Sequence, residues 1–149
     1  ILDDLMLDDF INSVPPKSTG KNEFGDVFLN NLLKKYSDIN YFDLLRTLCA
    51  FSAKSIALNL QKYINFNTKK IYLIISGGGV RHPVLVHDVK KYCHEYKVEI
   101  SDQFGIDPHM KESLLMSVLG VARYKNLYSN MPSVTGSNKM VVLGDMIKK

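Results

Sequence analysis

Residues 71–83 read IYLIISGGGVRHP, an apolar run followed by three glycines and a proline. The β-branched and aromatic residues from Lys70 to Ile75 are typical of a strand that is covered on both faces. A helix is predicted to begin near His82-Pro83, because proline favours the first helical position. The stretch therefore predicts a strand, a glycine turn and a helix, which together form one unit of an α/β fold.

Helices are predicted before this unit. Apolar residues spaced three and four apart predict an amphipathic helix over Lys21 to Tyr36 and a buried central helix over about Tyr41 to Tyr63. The alternating acidic and apolar residues from Ile1 to Ile11 suit a short helix, and Pro15-Pro16 stops any helix at or before Val14.

The rest of the chain continues the alternation of helices and strands. Asn65 to Thr68 is predicted to break the central helix, and Lys97 to Ile100 is predicted to form a second short strand. Asp107-Pro108 marks the next helix start, which apolar spacing carries to about Leu127. Val141 to Leu143 is a candidate last strand. The resulting prediction is an α/β fold with a helical preface.

Composition favours one globular domain over residues 1–149, since domains run to about 100–150 residues and the chain is 46% hydrophobic and 23% charged. The net charge of +4 comes from scattered basic residues. A nucleic-acid binder concentrates its positive charge in a stripe, so we expect no nucleic-acid partner.

The sequence also favours a cytoplasmic location. No apolar run approaches the roughly 18–20 residues that span a bilayer, and the start at Ile1 lacks a basic secretion signal, so we expect no membrane partner. Cys49 and Cys93 have no partner at metal-ligand spacing and are expected to be reduced core thiols. The start without Met suggests a fragment of a longer polypeptide.

The glycine turn is the strongest candidate for a ligand site. Gly77, Gly78 and Gly79 remove every Cβ from the turn, so that a ligand can touch the backbone, and the following helix offers free N–H groups. Nucleotide binding is one hypothesis, and a tight turn without a ligand has about equal weight. The spacing matches neither the dinucleotide fingerprint nor a Walker loop.

Two further segments carry weaker signals. Ser18 to Lys21 contains Gly-Lys beside hydroxyls but lacks the preceding glycine and strand of a Walker loop, so a loop that caps the next helix through one of those hydroxyls is favoured. Glu112 precedes an apolar face formed by Leu115, Met116 and Leu119. Two explanations for a carboxylate at this position have equal weight. It can bind a ligand, or it can interact favourably with the positive end of the helix dipole.

The sequence contains no metal-binding motif and no motif of a catalytic nucleophile. The four histidines, His82, His87, His94 and His109, lack the spacing of a metal site. No Ser/His/Asp or Cys/His arrangement stands out. The sequence therefore predicts neither a metal ligand nor a catalytic residue in this chain.

Several landmarks, in their order along the chain, resemble the C-terminal half of the anhydro-N-acetylmuramic acid kinase family. They cover most of the 149 residues. The matching segments are Pro15 to Lys21, the stretch that begins with Leu45-Arg46-Thr47-Leu48 and ends with Ala53-Lys54-Ser55-Ile56-Ala57, Ser76 to Pro83, Asp102 to Glu112, and Leu127 to Gly136. The last segment contains Met131-Pro132-Ser133-Val134-Thr135-Gly136.

This resemblance implies one lobe of an actin-like (ribonuclease H-like) ATPase fold, with a central sheet flanked by helices. The family phosphorylates 1,6-anhydro-N-acetylmuramic acid with ATP and Mg²⁺ while water opens the anhydro ring. By resemblance, Gly77, Gly78 and Gly79 would lie against the adenosine of ATP. Glu112 would contact the amino sugar, and a homodimer is expected.

The chain departs from the family pattern at two positions, and one half of the pattern is missing. His82 replaces the usual Asn before the proline, and Lys21 replaces the commoner Arg. The family's phosphate loop and water-activating aspartate lie in its N-terminal half, and nothing here matches them. We therefore expect a kinase lobe that is inactive alone, the alternative being a non-catalytic nucleotide-binding or oligomerisation module.

Overall fold

The computed structural model describes residues 1–64 and 71–147. They form an α/β structure with a small parallel sheet, as predicted. The predicted break at Asn65 to Thr68, and Lys70 of the predicted strand, lie outside the described residues. The elements are α1 (Leu2–Leu5), α2 (Asp9–Asn12), α3 (Lys21–Phe24), α4 (Asp26–Lys35), α5 (Tyr41–Tyr63), β1 (Tyr72–Ile75), α6 (Pro83–Tyr92), β2 (Lys97–Ile100), α7 (Lys111–Tyr124) and α8 (Pro132–Thr135), with 3₁₀ turns at Gly78–Arg81 and Ser101–Phe104.

The chain divides into two compact units. The first contains Ile1–Asn12 and Phe42–Leu115, and the second contains Ser13–Tyr41 and Met116–Lys149. The glycine turn and Glu112 both belong to the first unit. The single domain expected over residues 1–149 stays a prediction.

Strands β1 and β2 pair in parallel, with Tyr72 opposite Lys97 and Ile75 opposite Ile100. Helix α6 connects them, which is the crossover that a parallel pair requires. Because the strands run in the same direction, both of their carboxyl ends lie at one edge of the sheet. The glycine turn leaves β1 at that edge, and the second 3₁₀ turn leaves β2 there.

The core of the first unit lies between α5, α6 and the strands. Two alanines on α5, Ala53 and Ala57, are buried, and their small side chains allow close packing. The other buried members of this core are Val89, Cys93, Tyr96 and Val98, and the partly buried residues packed against them are Leu60, Ile71, Leu73, Ile75, Leu85 and Tyr92. The predicted central helix is confirmed at Tyr41–Tyr63.

The prediction that the first strand is covered on both faces is wrong for the described chain. Leu73 and Ile75 turn toward the core, whereas Tyr72 and Ile74 are 48% and 49% exposed. Side chains alternate between faces along a strand, and the described core packs against one face only. The Tyr72 ring instead packs against Phe104 in a T-shaped arrangement, with ring centroids 5.6 Å apart.

A buried ion pair joins α5 to α6. The Asp88 side chain is fully buried, and its two carboxylate oxygens accept from Arg46 Nη1 at 2.6 Å and Nη2 at 2.9 Å. This two-bond geometry is the strongest that arginine makes with a carboxylate. The Arg46 side chain is half exposed, so the guanidinium keeps part of its contact with water while it neutralises the buried charge.

Two predicted helices are interrupted by local side-chain and backbone geometry. The segment from Ile1 to Ile11 forms α1 and α2 rather than one helix, because Asp8 Oδ1 accepts from the N–H groups of Phe10 and Ile11 and starts a new turn. The helix predicted over residues 21–36 divides at Gly25. A Cβ at Gly25 would lie 2.1 Å from the Lys21 carbonyl oxygen, so this close approach requires glycine.

Helix α7 begins later and ends earlier than predicted. Asp107 Oδ1 accepts from the His109 N–H at 2.7 Å and forms a turn, so that the helix begins at Lys111 instead of Asp107-Pro108. At the other end, Asn126 has a φ of 56°. The Leu127 N–H donates to the Ala122 carbonyl at 2.8 Å, and this Schellman closure ends α7 at Tyr124.

The candidate strand at Val141 to Leu143 is not a strand. In the second unit its backbone bonds largely to side chains: Val141 N–H donates to Asn130 Oδ1 at 2.6 Å, and Leu143 N–H to Ser129 Oγ at 3.4 Å. One backbone bond, from Ser129 N–H to the Val141 carbonyl, completes the contact. Side-chain acceptors have replaced the regular ladder that defines a sheet.

None of the helices within residues 1–64 and 71–147 has the length and apolar character needed to cross a membrane.

We predict that Arg46→Met lowers the free energy of unfolding by about 3 kcal/mol, because it leaves the buried Asp88 carboxylate without its charged partner. Urea unfolding followed by circular dichroism measures this change. The double variant Arg46→Met/Asp88→Asn removes the buried charge and should recover part of the loss. A loss below about 1 kcal/mol in Arg46→Met, the value of a surface pair, would contradict this account.

Candidate functional site at the carboxyl edge of the parallel strands

The glycine turn is held at the sheet edge by hydrogen bonds to the loop before α7. The Gly77 N–H donates to the Pro108 carbonyl oxygen at 3.1 Å, and Ser76 Oγ donates to the same oxygen at 3.3 Å. Ser101 Oγ, at the end of β2, lies 3.2 Å from Ser76 Oγ. The two strand ends and the loop at Pro108 therefore form one hydrogen-bonded edge.

Gly77 requires glycine for a backbone reason. Its φ is 87° and its ψ is −173°, a region that is essentially closed to residues with a Cβ. This conformation turns the chain sharply from β1 into the 3₁₀ turn at Gly78–Arg81. Glycine at this position is thus explained by the chain itself, with no reference to a ligand.

Gly78 and Gly79 have no such explanation within the described chain. A Cβ at Gly78 would meet no atom within 4 Å, and a Cβ at Gly79 would meet Leu85 Cδ2 at an ordinary 3.6 Å. Both residues are exposed. Glycine loses more conformational entropy on folding than any other residue. Two glycines that the chain does not need for steric reasons therefore favour close approach by a group from outside the chain.

His82 caps the helix that follows the turn. Its Nδ1 accepts from the Leu85 N–H at 3.2 Å, and Pro83 occupies the first helical position. The Nε2 atom lies 3.8 Å from Cys49 Sγ. His82 therefore performs the capping role expected if it substitutes for Asn, and the remaining ring nitrogen contacts α5.

The two cysteines differ in environment. Both are free, and Cys93 is a core thiol, as predicted, whose burial raises its pKa. Cys49 is only partly buried and contacts His82, so its assignment to the core is wrong. It faces the helix cap instead, because its position on α5 lies opposite the start of α6.

Glu112 lies in the first turn of α7, with 68% of its side chain exposed. The apolar residues expected to share its face are also open: Leu115 is 51% exposed and Met116 is 63% exposed. The carboxylate therefore heads an exposed helix face, where it is accessible to a ligand and also offsets the helix dipole.

Lys111 was missed by the sequence reasoning and links the two candidate positions. Its Nζ lies 3.8 Å from Glu112 Oε1. The same Nζ is 3.8 Å from the point that a Cβ would occupy at Gly77. A cation next to Glu112 is visible in the sequence, but its proximity to the glycine turn depends on the bond between Gly77 and Pro108.

The segment Ser18 to Lys21 belongs to the second unit, and its contacts are those of a helix cap. Glu23 reaches back from α3, and its Oε2 accepts from the Gly20 N–H at 3.2 Å and from Thr19 Oγ1 at 3.1 Å. These bonds hold the pKa of the Glu23 carboxyl below its usual value. The loop does precede a capped helix, but the prediction that Ser18 or Thr19 provides the cap is wrong: Gly20 is the N-cap residue, and the Glu23 side chain accepts its N–H.

Metal-ligating side chains are not clustered in the described part of the chain. In residues 1–64 and 71–147, no group of three or more His, Cys, Asp or Glu side chains is placed to hold a metal ion. We therefore assign no metal ligand.

The fold and the edge together define an α/β protein with a candidate ligand site at the carboxyl ends of parallel strands, where open α/β sheets commonly bind ligands. Residues 1–149 match the family model described as anhydro-N-acetylmuramic acid kinase. The chain belongs to this family.

Similar curated proteins carry the same name. The anhydro-N-acetylmuramic acid kinase of Clostridioides difficile (strain 630) is 36% identical over 149 residues, which are 100% of this chain and 39% of that protein. The one from Mannheimia succiniciproducens is 34% identical over 154 residues, 100% of this chain and 41% of that protein. The chain thus spans about two fifths of the length of the relatives it matches.

We predict that Gly77→Ala lowers the free energy of unfolding by about 1–3 kcal/mol, because alanine is strained at this positive φ. Gly78→Ala should change stability by less than about 1 kcal/mol, since its methyl group meets no neighbour and stiffens the unfolded chain. Gly120→Ala inside α7, which is also open, should instead raise stability by up to about 1 kcal/mol, because alanine is the better helix former. Equal losses for Gly77→Ala and Gly78→Ala in urea unfolding would contradict this distinction.

Proposed function

We propose that this chain is the C-terminal, nucleotide-binding lobe of an ATP-dependent carbohydrate kinase. The complete enzyme would convert 1,6-anhydro-N-acetylmuramic acid, water and ATP to N-acetylmuramic acid 6-phosphate and ADP. This reaction would serve cell-wall recycling and amino-sugar catabolism. The proposal is supported by membership of the family and by the names of its curated relatives.

The open backbone at Gly78 and Gly79 is the observation that carries the nucleotide part of the proposal. These residues follow a strand at the ligand-binding edge of a parallel pair, and the chain itself does not require glycine at either position. A flat adenosine group needs backbone without side chains in order to pack closely. Gly77, Gly78 and Gly79 are proposed to lie against the adenosine of ATP.

Glu112 is proposed to contact the amino sugar. An exposed carboxylate accepts hydrogen bonds from sugar hydroxyl and amide N–H groups, and the Glu112 side chain is open to a ligand at the start of α7. It belongs to the same unit as the glycine turn. This role is a binding role, and no residue of this chain is proposed to carry out the chemistry.

Phosphoryl transfer requires groups that this chain is not proposed to supply. The γ-phosphate must be surrounded by donors and Mg²⁺, and the attacking water must be oriented. Mg²⁺ in kinases is held mainly by phosphates, waters and one or two carboxylates, and we assign none of its ligands here. The remaining three fifths of the relatives' length is proposed to provide these groups.

The proposed enzyme is cytoplasmic and homodimeric. Its partners are ATP with Mg²⁺ and the amino-sugar substrate, and neither nucleic acid nor a membrane is included. Both the location and the dimer stay predictions.

A non-catalytic nucleotide-binding or oligomerisation module is the second candidate. It is favoured by the exposure of apolar side chains along α7, where Leu114, Val118 and Val121 are each about half exposed. Such a surface is typical of a face that meets another part of a protein or another chain. The two candidates differ in whether the complete protein turns over sugar.

We predict that the 149-residue chain binds ADP and that Gly78→Ala weakens this binding about tenfold, a typical cost of a misplaced methyl group in a tight contact. Calorimetric titration with ADP measures the Kd. Gly120→Ala should bind ADP as the unchanged chain does. Equal affinity in the Gly78→Ala and Gly120→Ala variants would remove the glycine turn from the nucleotide site.

We also predict that the isolated chain, incubated with ATP, Mg²⁺ and 1,6-anhydro-N-acetylmuramic acid, forms sugar phosphate no faster than a control without protein. The reason is that the groups around the γ-phosphate are not proposed to lie in this chain. Mass spectrometry of the sugar products measures the rate. Formation of N-acetylmuramic acid 6-phosphate well above background would show that the chain carries a complete active site.

A further inference from the structure

We propose that Lys111 binds the phosphate groups of the nucleotide at the glycine turn, so that this edge of the sheet recognises an anion as well as a nucleoside. The inference rests on the proposed nucleotide function and names a residue and a ligand chemistry that the function by itself does not include. It is carried by the position of the Lys111 ammonium.

The ammonium lies on the side of Gly77 where a Cβ would project. Lys111 Nζ is 3.8 Å from the position of a Cβ at Gly77, where the positive φ excludes any residue but glycine. A group that rests against this backbone therefore comes within reach of Nζ. The missing Cβ opens the space, and the lysine places a positive charge beside it.

The loop that carries Lys111 is tied to the turn. Pro108, three residues earlier, accepts hydrogen bonds from both the Gly77 N–H and Ser76 Oγ. Because Lys111 begins α7 directly after this loop, the root of its side chain is held at a defined position relative to the glycines. Four flexible carbon–carbon bonds then let the ammonium adjust to a ligand.

The N–H donors of the Lys111 ammonium are not held in a close pair with Glu112 and can bind a ligand. The distance of 3.8 Å between Nζ and Glu112 Oε1 exceeds the 2.7–2.9 Å or so of a charge-assisted hydrogen bond. The Lys111 side chain is 53% exposed, so a ligand in solution can reach it. Glu112 lowers the local positive charge without holding the lysine in a close pair.

A phosphate suits this arrangement better than an uncharged group. Lysine contacts phosphate as a point charge with three rotatable donors, and such bonds are stronger than those between neutral groups. The contribution should therefore appear for ligands that carry phosphate and be absent for a nucleoside. This difference separates a direct contact from a general effect on the fold.

The test compares adenosine, ADP and inorganic pyrophosphate as ligands for the 149-residue chain. The variants are Lys111→Met, which keeps most of the side-chain length and removes the charge, and Lys111→Arg, which keeps the charge. Lys62→Met is the control, because Lys62 Nζ contacts Asn12 Oδ1 on another part of the same unit. Melting curves check that all variants are folded.

We expect Lys111→Met to weaken the binding of ADP and of pyrophosphate about tenfold, as for the loss of a charged hydrogen bond. The affinity for adenosine should stay within about twofold of that of the unchanged chain. Lys111→Arg should retain most of the ADP affinity, and Lys62→Met all of it. Raising the salt concentration should weaken ADP binding less in Lys111→Met than in the unchanged chain.

The outcomes separate this inference from the proposed function. Unchanged ADP affinity in Lys111→Met, or an equal loss for adenosine and ADP, overturns the role of Lys111 while nucleotide binding stands. Pyrophosphate binding that depends on Lys111, with ADP bound no more tightly than pyrophosphate and adenosine not bound, supports the anion contact and overturns the nucleotide proposal. Failure of the unchanged chain to bind any of the three ligands overturns both.

Discussion

The hydrogen bond from the Gly77 N–H to the Pro108 carbonyl joins the two loops that leave the parallel strands. Gly77 donates this bond, and its positive φ turns the chain that follows away from β1. Helix α7 starts at Lys111 rather than at Asp107-Pro108 because Asp107 Oδ1 accepts from the His109 N–H and forms a turn, and the Pro108 carbonyl of that turn accepts the bond from Gly77. Every feature proposed to bind a ligand lies within a few residues of this bond.

Two kinds of contact hold together the core beneath this sheet edge. Ala53 and Ala57 let α5 pack closely, and the buried Asp88 carboxylate fixes α6 to Arg46 of α5. Separating α5 from α6 would leave the buried Asp88 carboxylate without its charged partner, which is costly. The open turn is thus presented by a closely packed frame, which suits recognition of a ligand.

Membership of the anhydro-N-acetylmuramic acid kinase family gives this arrangement a context. The chain matches about two fifths of its relatives, and its described residues expose apolar side chains on both a strand face and a helix. Tyr72 and Ile74 lie on that strand face, and Val118 and Val121 lie on α7. Parallel strands are ordinarily covered on both faces, whereas β1 is covered on one face only within the described residues.

The sequence by itself determined the α/β class, the 23-residue central helix, both strands and the glycine turn, because apolar periodicity and proline and glycine positions act locally. It also singled out Gly77 to Gly79 and Glu112. Only the tertiary structure decided that Gly77 is needed by the backbone while Gly78 and Gly79 are not, and that Lys111 reaches the turn. The reach of Lys111 and the pairing of Arg46 with Asp88 depend on contacts between residues distant in sequence, and no local pattern encodes such contacts.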